Sequence, residues 1–205
     1  MALSGDGKIA LTEGFDGTAR LWETSSGRPI GSPPRHERPV ALHPVALSGD
    51  GKIAFTGSGD NMARLWETAH GKAIAPPLQH QGVVVAVALS ADGKVALTGS
   101  ADNTARLWDT ASGKAIGPPL QHQSTVKAVA LSADGKIALT GSVDKTARLW
   151  RLTRFTDDPE RIALWAQVIT GIEADEHGNA RALAADEWQK RKARLQKLGG
   201  SPLLD

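Results

Sequence analysis

Tryptophan recurs at Trp22, Trp66, Trp108 and Trp150, and an Asp-Gly-Lys triplet recurs at Asp6, Asp50, Asp92 and Asp134. Both series advance by 44, 42 and 42 residues. One unit is therefore written four times, and a period of this size belongs to stacked repeats rather than to a single wound core. The third copy is the fullest. It runs from Gln79-His80 through an unbroken apolar stretch, Val83 to Leu89, to Asp92-Gly93. It continues through Lys94 to Ser100, Ala101-Asp102-Asn103, Thr104 to Thr110, Ser112-Gly113 and Lys114 to Leu120.

Each junction in the unit is a turn signal. Asp-Gly between two apolar runs predicts a type I′ hairpin, with positive φ at both central residues, joining strands over 83–90 and 94–100. The next turns fall at Ser100-Ala101-Asp102-Asn103 and at Ser112-Gly113. Four short antiparallel strands per copy result. The fourth holds Pro118-Pro119, which cannot donate ladder hydrogen bonds and so suits an outer edge. The first strand is apolar at every position instead of alternating, so both of its faces must be covered, and neighbouring copies of the same sheet would cover them.

Spacing, turns and tryptophans together resemble the WD-repeat β-propeller family, bacterial type, with Leu107-Trp108-Asp109 as the signature dipeptide and His80 opening the repeat. The likeness runs from Leu3 to Trp150. The dipeptide Asp is present only at Asp109 and is replaced by Glu23, Glu67 and Arg151, while Arg35, Gln79 and Gln121 stand where a Gly usually precedes the His. The fold class implied is mainly β. Four WD-type four-stranded blades of a partial or open propeller are expected over 1–154, with repeats at about 1–35, 36–79, 80–121 and 122–154.

The resemblance further implies a structural relay in each full copy. Asp in the turn bonds His, His bonds Ser, and Ser bonds the indole N–H of Trp. The sets are His36, Ser58, Asp60 and Trp66; His80, Ser100, Asp102 and Trp108; and His122, Ser142, Asp144 and Trp150. Ser, His and Asp together also invite a catalytic-triad reading. That reading is set aside because a nucleophile does not recur identically three times in one chain, and no oxyanion-hole motif accompanies it. The first copy is degraded: Gly14 replaces Ser, no His precedes it, and only Asp16 and Trp22 remain. Two extra residues in the second copy, with His43 and Pro44 in the altered strand, predict a bulge or bend.

No catalytic, cofactor-binding or metal-ligating residue is assigned. Zero Cys excludes disulfides, thiolate zinc sites and thiol catalysis together. The six His form neither an H-E-x-x-H motif nor an i, i+4 pair. Gly-Asp-Gly-Lys lacks the earlier glycine and the following Ser/Thr of a phosphate loop, and Gly57-Ser58-Gly59 lacks the third glycine of a dinucleotide site.

Past Thr156 the texture changes. Asp158-Pro159-Glu160 starts a helix, with Asp as N-cap and Pro at the first helical position. Ile162, Trp165, Ile169 and Ile172 lie near one face, and Gly171 can stop it. A hairpin turn at Asp175-Glu176-His177-Gly178-Asn179 and a second helix from about Asp186 to Leu198 complete an α-β-β-α module over 157–205. Lys190, Arg191, Lys192, Arg194 and Lys197 give that helix a basic face, read as solvated.

A net charge of +2 spread along the chain leaves nucleic-acid binding without compositional support, no apolar run is long enough for a membrane span, and the start lacks the pattern of a secretory signal. The expected setting is the cytoplasm and the expected partners are other proteins. WD propellers bind mainly through the loops before the first strand and between the second and third, which here means Gly82, Val85, Ala101, Ser124, Lys127 and Val143. The function implied is a non-catalytic interaction scaffold, not an enzyme. The alternative is a regulatory or sensory C-terminal portion of a larger signalling protein such as a Ser/Thr protein kinase. Neither half of a closing strand exchange is visible, so either further N-terminal blades or a second copy would complete a ring.

Overall fold

The computed structural model describes residues 1–14, 18–31, 44–152, 159–174 and 180–197. The chain forms two compact units, 1–152 and 153–205. The first holds four antiparallel sheets in sequence. Sheet one is β1 (Ala2–Leu3), β2 (Ile9–Glu13), β3 (Ala19–Glu23) and β4 (Arg28–Ile30). Sheet two is β5 (Val45–Leu47), β6 (Ile53–Gly57), β7 (Met62–Glu67) and β8 (Lys72–Ala73), with β9 (Leu78–Gln79) also on β7. The third is β10 (Val84–Leu89), β11 (Val95–Ser100), β12 (Thr104–Asp109) and β13 (Leu120–Gln121). The fourth has β14 (Val126–Leu131), β15 (Ile137–Ser142) and β16 (Ala147–Arg151). Each sheet is one blade.

The Asp-Gly hairpins exist but are not type I′. Only the glycine has positive φ, as at Gly93 (69°), and its N–H donates to the Ser90 carbonyl at 2.9 Å. The loop is thus a three-bond turn followed by one left-handed residue, the longer hairpin pattern. Asp92 is not in the left-handed region, and its Oδ1 accepts from Ser90 Oγ at 2.7 Å and from the Lys94 N–H at 3.0 Å. The same bonds form at Asp6, Asp50 and Asp134.

The outer strand is broken where proline removes a donor. In the third blade Ala115 bridges Trp108, and after Pro118-Pro119 pairing resumes at Ala105↔Leu120. The second blade repeats this, with Trp66↔Ala73 before its prolines and Ala63↔Leu78 after them.

The core lies between blades, which is why the first strands are apolar on both faces. Phe55 and Leu65 of the second blade pack with Val84, Ala96 and Trp108 of the third. Val95, Leu97 and Leu107 of the third pack with Val126 and Ala138 of the fourth. Leu11 and Leu21 of the first meet Ala54 and Trp66 of the second. Each fully buried Leu contributes about 1.5–3 kcal/mol to these junctions. The hairpin turns add a ladder across blades: the Gly5 N–H donates to Gly49 O, Gly49 to Ala91 O and Ala91 to Ala133 O, at 2.9, 2.9 and 3.0 Å.

The second unit contains α1 (Pro159–Thr170), β17 (Ile172–Ala174), β18 (Ala180–Ala182) and α2 (Ala185–Lys197). Gly171, at φ 65°, ends α1 and donates its N–H to Gln167 O. Leu164 and Leu195 are buried, whereas Ile169 and Ile172, expected on the apolar face, are exposed. The basic face of α2 is not wholly solvated. Arg191 reaches back to Gln167 Oε1 at 2.6 Å and Glu173 Oε2 at 2.8 Å, and Trp188 Nε1 donates to Val168 O at 2.8 Å. The expectations for Asp16, Arg35, His36, His43, Asp158 and the 175–179 turn lie outside the described residues, as do the side chains of Ile162 and Trp165.

Candidate functional site

In every blade a small residue faces the tryptophan across the central strand pair: Ala10↔Trp22, Ala54↔Trp66, Ala96↔Trp108 and Ala138↔Trp150. The missing bulk leaves room for the indole to lean along the strand to the residue two positions on, which sits on the same face. That residue is threonine each time. Trp108 Nε1 donates to Thr98 Oγ1 at 2.9 Å, and Trp22, Trp66 and Trp150 do the same to Thr12, Thr56 and Thr140 at 2.8 Å.

The hydroxyl in the relay is therefore Thr, not the Ser that family resemblance implied. His80 Nε2 lies 2.6 Å from Thr98 Oγ1, and His80 Nδ1 lies 2.8 Å from Asp102 Oδ2. In the fourth blade His122 meets Thr140 at 2.7 Å and Asp144 at 3.0 Å. Ser100 is two residues beyond Thr98, too near the loop end to reach the indole. Its hydroxyl donates to Gly82 O at 2.9 Å and accepts from the Asp102 N–H at 3.1 Å. Ser142 treats Ser124 O and the Asp144 N–H likewise, at 2.9 and 3.1 Å. In the second blade Ser58 Oγ accepts the Asp60 N–H at 3.4 Å, and Asp60 holds Arg64 Nη1 at 2.6 Å.

Electrostatics fix the direction of the His80 network. Burial lowers the His80 pKa from 6.5 against the opposing pull of Asp102, so the ring is neutral. Nδ1–H then donates to the Asp102 carboxylate, Nε2 accepts from the Thr98 hydroxyl, and Thr98 oxygen accepts from Trp108. Burial alone would raise the Asp102 carboxyl. Hydrogen bonds from Thr104, the Gln81 N–H and His80 outweigh it and hold the pKa at about 2. Every polar group from turn to indole is satisfied, which is what burying them demands.

This network ends directly beneath the loops singled out for partner binding. Asp102 Oδ2 also accepts the Gln81 N–H at 3.0 Å, Ser100 grips the Gly82 carbonyl, and the Ala101 N–H donates to Val83 O at 2.9 Å. The loop before β10 and the turn after β11 are thus clasped together. A Cβ at Gly82 would stand 2.8 Å from the Asp102 nitrogen, so this position has room for nothing larger than glycine. The fourth blade builds the same clasp from Gln123, Ser124, Ser142 and Asp144, with the Val143 N–H on Thr125 O at 2.9 Å. Val85 and Lys127 occupy the bulges of β10 and β14, between Val84 and Ala86 and between Val126 and Ala128. Ala101, Lys127 and Val143 are exposed, while Gly82, Val85 and Ser124 are half-buried. None of the six is Trp, Tyr or Arg, the usual anchors of binding hot spots.

Among the described residues no group of three His, Asp or Glu side chains could hold a metal ion. No described helix is long and apolar enough to cross a membrane.

Comparison with known proteins places this geometry. A family model described as "WD domain, G-beta repeat" matches residues 27–67, 76–109 and 118–151. Each match begins in or beside the outer strand of one blade and ends in the third strand of the next, so repeat and blade are offset by one strand. No curated protein matches the sequence. Among solved structures the chain is similar to one described as "Crystal structure of the computationally designed Ika4 protein". The two are 25% identical over 74% of this chain and 89% of that one, with a TM-score of 0.61. As many as 1278 solved chains match, so the fold by itself selects no particular partner.

Proposed function

The chain belongs to the WD domain, G-beta repeat family, whose model covers more than half of its length, and on that premise we propose that it works as a non-catalytic protein-interaction scaffold. Repeats of this family generally mediate protein–protein contacts. The observation that carries the reading here is the clasp beneath the loops. Asp102, Ser100 and His80, with Asp144, Ser142 and His122 in the next blade, commit their hydrogen-bonding capacity to holding two loops in fixed relation. A catalytic Ser-His pair needs a free nucleophile near its base. Here Ser100 is committed to backbone and His80 to Thr98.

The binding surface in this reading comprises Gly82, Val85, Ala101, Ser124, Lys127 and Val143. Fixed loops lower the ordering cost of association and so offset the absence of large aromatic anchors. The blades over 1–154 supply the surface, and the module over 157–205 is an appended unit.

The test is a capture experiment with the immobilised chain. The triple variant Val85→Lys, Lys127→Glu and Val143→Asp should lose the proteins that the unaltered chain retains from its source lysate. A control variant on the outer strand, Lys72→Glu, should retain them. Identical sets on all three chains would contradict this placement of the surface.

A further inference from the structure

The last blade carries a surface that the other three bury. Every junction between successive blades uses the same parts. The hairpin-turn glycine of the later blade sits on the turn serine and the first β-branched residue of the earlier one. A Cβ on Gly51 would stand 3.0 Å from Ser4 and 3.1 Å from Ile9, one on Gly93 3.2 Å from Ser48 and 3.0 Å from Ile53, and one on Gly135 3.4 Å from Ser90 and 3.1 Å from Val95. In the fourth blade the matching cradle is Ser132 and Ile137. Ile137 is 41% exposed where Val95 is 1%, and Leu139 is 45% exposed where Leu97 is 0%.

The complementary half lies on the first blade of the same chain. Gly7 has the turn conformation of Gly51, Gly93 and Gly135, with φ 70°, but nothing lies within 4 Å of where its Cβ would be. Beside it Met1 and Leu3, which correspond to Val129 and Leu131, are exposed. The turn ladder is open at the same two places: among the described residues none accepts the Ala133 N–H and none donates to the Gly5 carbonyl.

We infer that a second copy of this chain docks its first blade on the fourth, placing Gly7 against Ser132 and Ile137 and the Gly5 carbonyl on the Ala133 N–H. The contact is head to tail, so it is satisfied twice in a pair. Two copies bring eight blades, the upper end of the range in which propellers commonly close, whereas three would bring twelve. The pair continues a junction already made three times within the chain. It covers the turn half of the fourth blade, with Met1 in the place that Val129 takes over Gly99 in the preceding junction. This association is independent of the partner surface, and loss of either leaves the other standing.

Light scattering after size exclusion should give twice the chain mass of 21.5 kDa. Ala133→Pro is the selective probe. Proline is favoured at this turn position and removes only a donor that the single chain does not use. With two such bonds lost per pair, it should raise the dissociation constant about 5- to 150-fold and leave the circular dichroism spectrum unchanged. The chain has no native Cys. Gly7→Cys chains mixed with Ser132→Cys chains should therefore form a disulfide between the two variants. A single-chain mass at tens of micromolar, an Ala133→Pro variant that associates as before, or Ser132→Cys chains that cross-link only to each other would each overturn the inference.

Discussion

At the scale of single residues the relay turns on which hydroxyl stands between histidine and tryptophan. Thr98 has three polar neighbours, Trp108, His80 and the Arg106 carbonyl, whereas Ser100 serves a loop. Thr98→Val keeps the shape and strands both the indole N–H and His80 Nε2, which should cost about 2–6 kcal/mol at about 1–3 per buried orphan. Ser100→Ala should cost about 1 kcal/mol. Urea unfolding of the two variants checks the order, and a larger loss for Ser100→Ala would restore serine to the relay. Acid should act on the same groups. The folded pKa of His80 is depressed below 6.5, so the stability it lends is complete above that value and declines as pH falls through it, because the unfolded chain takes up the proton first. Asp102, held at about 2 against an ordinary 3.8, contributes about 2 kcal/mol that persists above 3.8 and is lost on descending towards 2. Unfolding free energy measured from pH 7.5 to 2.5 should therefore fall in two stages. A profile flat down to pH 4 would remove His80 from the account.

The choice of threonine was legible in the sequence, though not through the family. Thr12, Thr56, Thr98 and Thr140 each precede their Trp by ten residues, while the serine series fails at Gly14. The hydroxyl present in all four copies is the one that all four tryptophans use.

At the scale of elements, the strands accord with the repeat and the turns depart from it. Asp-Gly is compatible with both a two-residue and a longer hairpin, and the Ser90 hydroxyl, which accepts the Val95 N–H at 3.0 Å, decides for the longer one. Asn61, Asn103 and Lys145 share a left-handed position between the second and third strands, with φ of 66°, 69° and 67°. Asparagine tolerates this conformation, whereas lysine is strained in it. Lys145→Asn should thus stabilise the fourth blade by about 0.5–1 kcal/mol, read as a rise in melting temperature; a fall would mean that the Lys145 side chain makes a contact worth more than the strain. The break in each outer strand was readable as a pair of prolines. Pairing on both sides of the break was not, since it depends on how the chain bends past them.

At the scale of the whole molecule, four repeats make four sheets whose apolar faces are buried by one another, and this is what the period in the sequence most directly implied. That an open arc leaves the faces of its end blades uncovered follows from the repeats, whereas the exposure of a particular residue does not. Leu97 and Leu139 both stand in Ala-Leu-Thr-Gly-Ser, and they differ in whether a later blade lies over them. Paired glycines report on the same asymmetry. A Cβ on Gly99 would lie 2.9 Å from the Val126 carbonyl oxygen and 3.0 Å from two valine methyls of the next blade. At the equivalent Gly141 the nearest atom is the Ala128 Cβ of its own blade, at 3.6 Å. Calorimetric unfolding of Gly99→Ala and Gly141→Ala therefore tests the stacked-blade account most directly. The prediction is a loss of about 1–3 kcal/mol for Gly99→Ala, from forced separation of the third and fourth blades, and no loss for Gly141→Ala. Equal losses at the two sites, or the greater loss at Gly141, would contradict it.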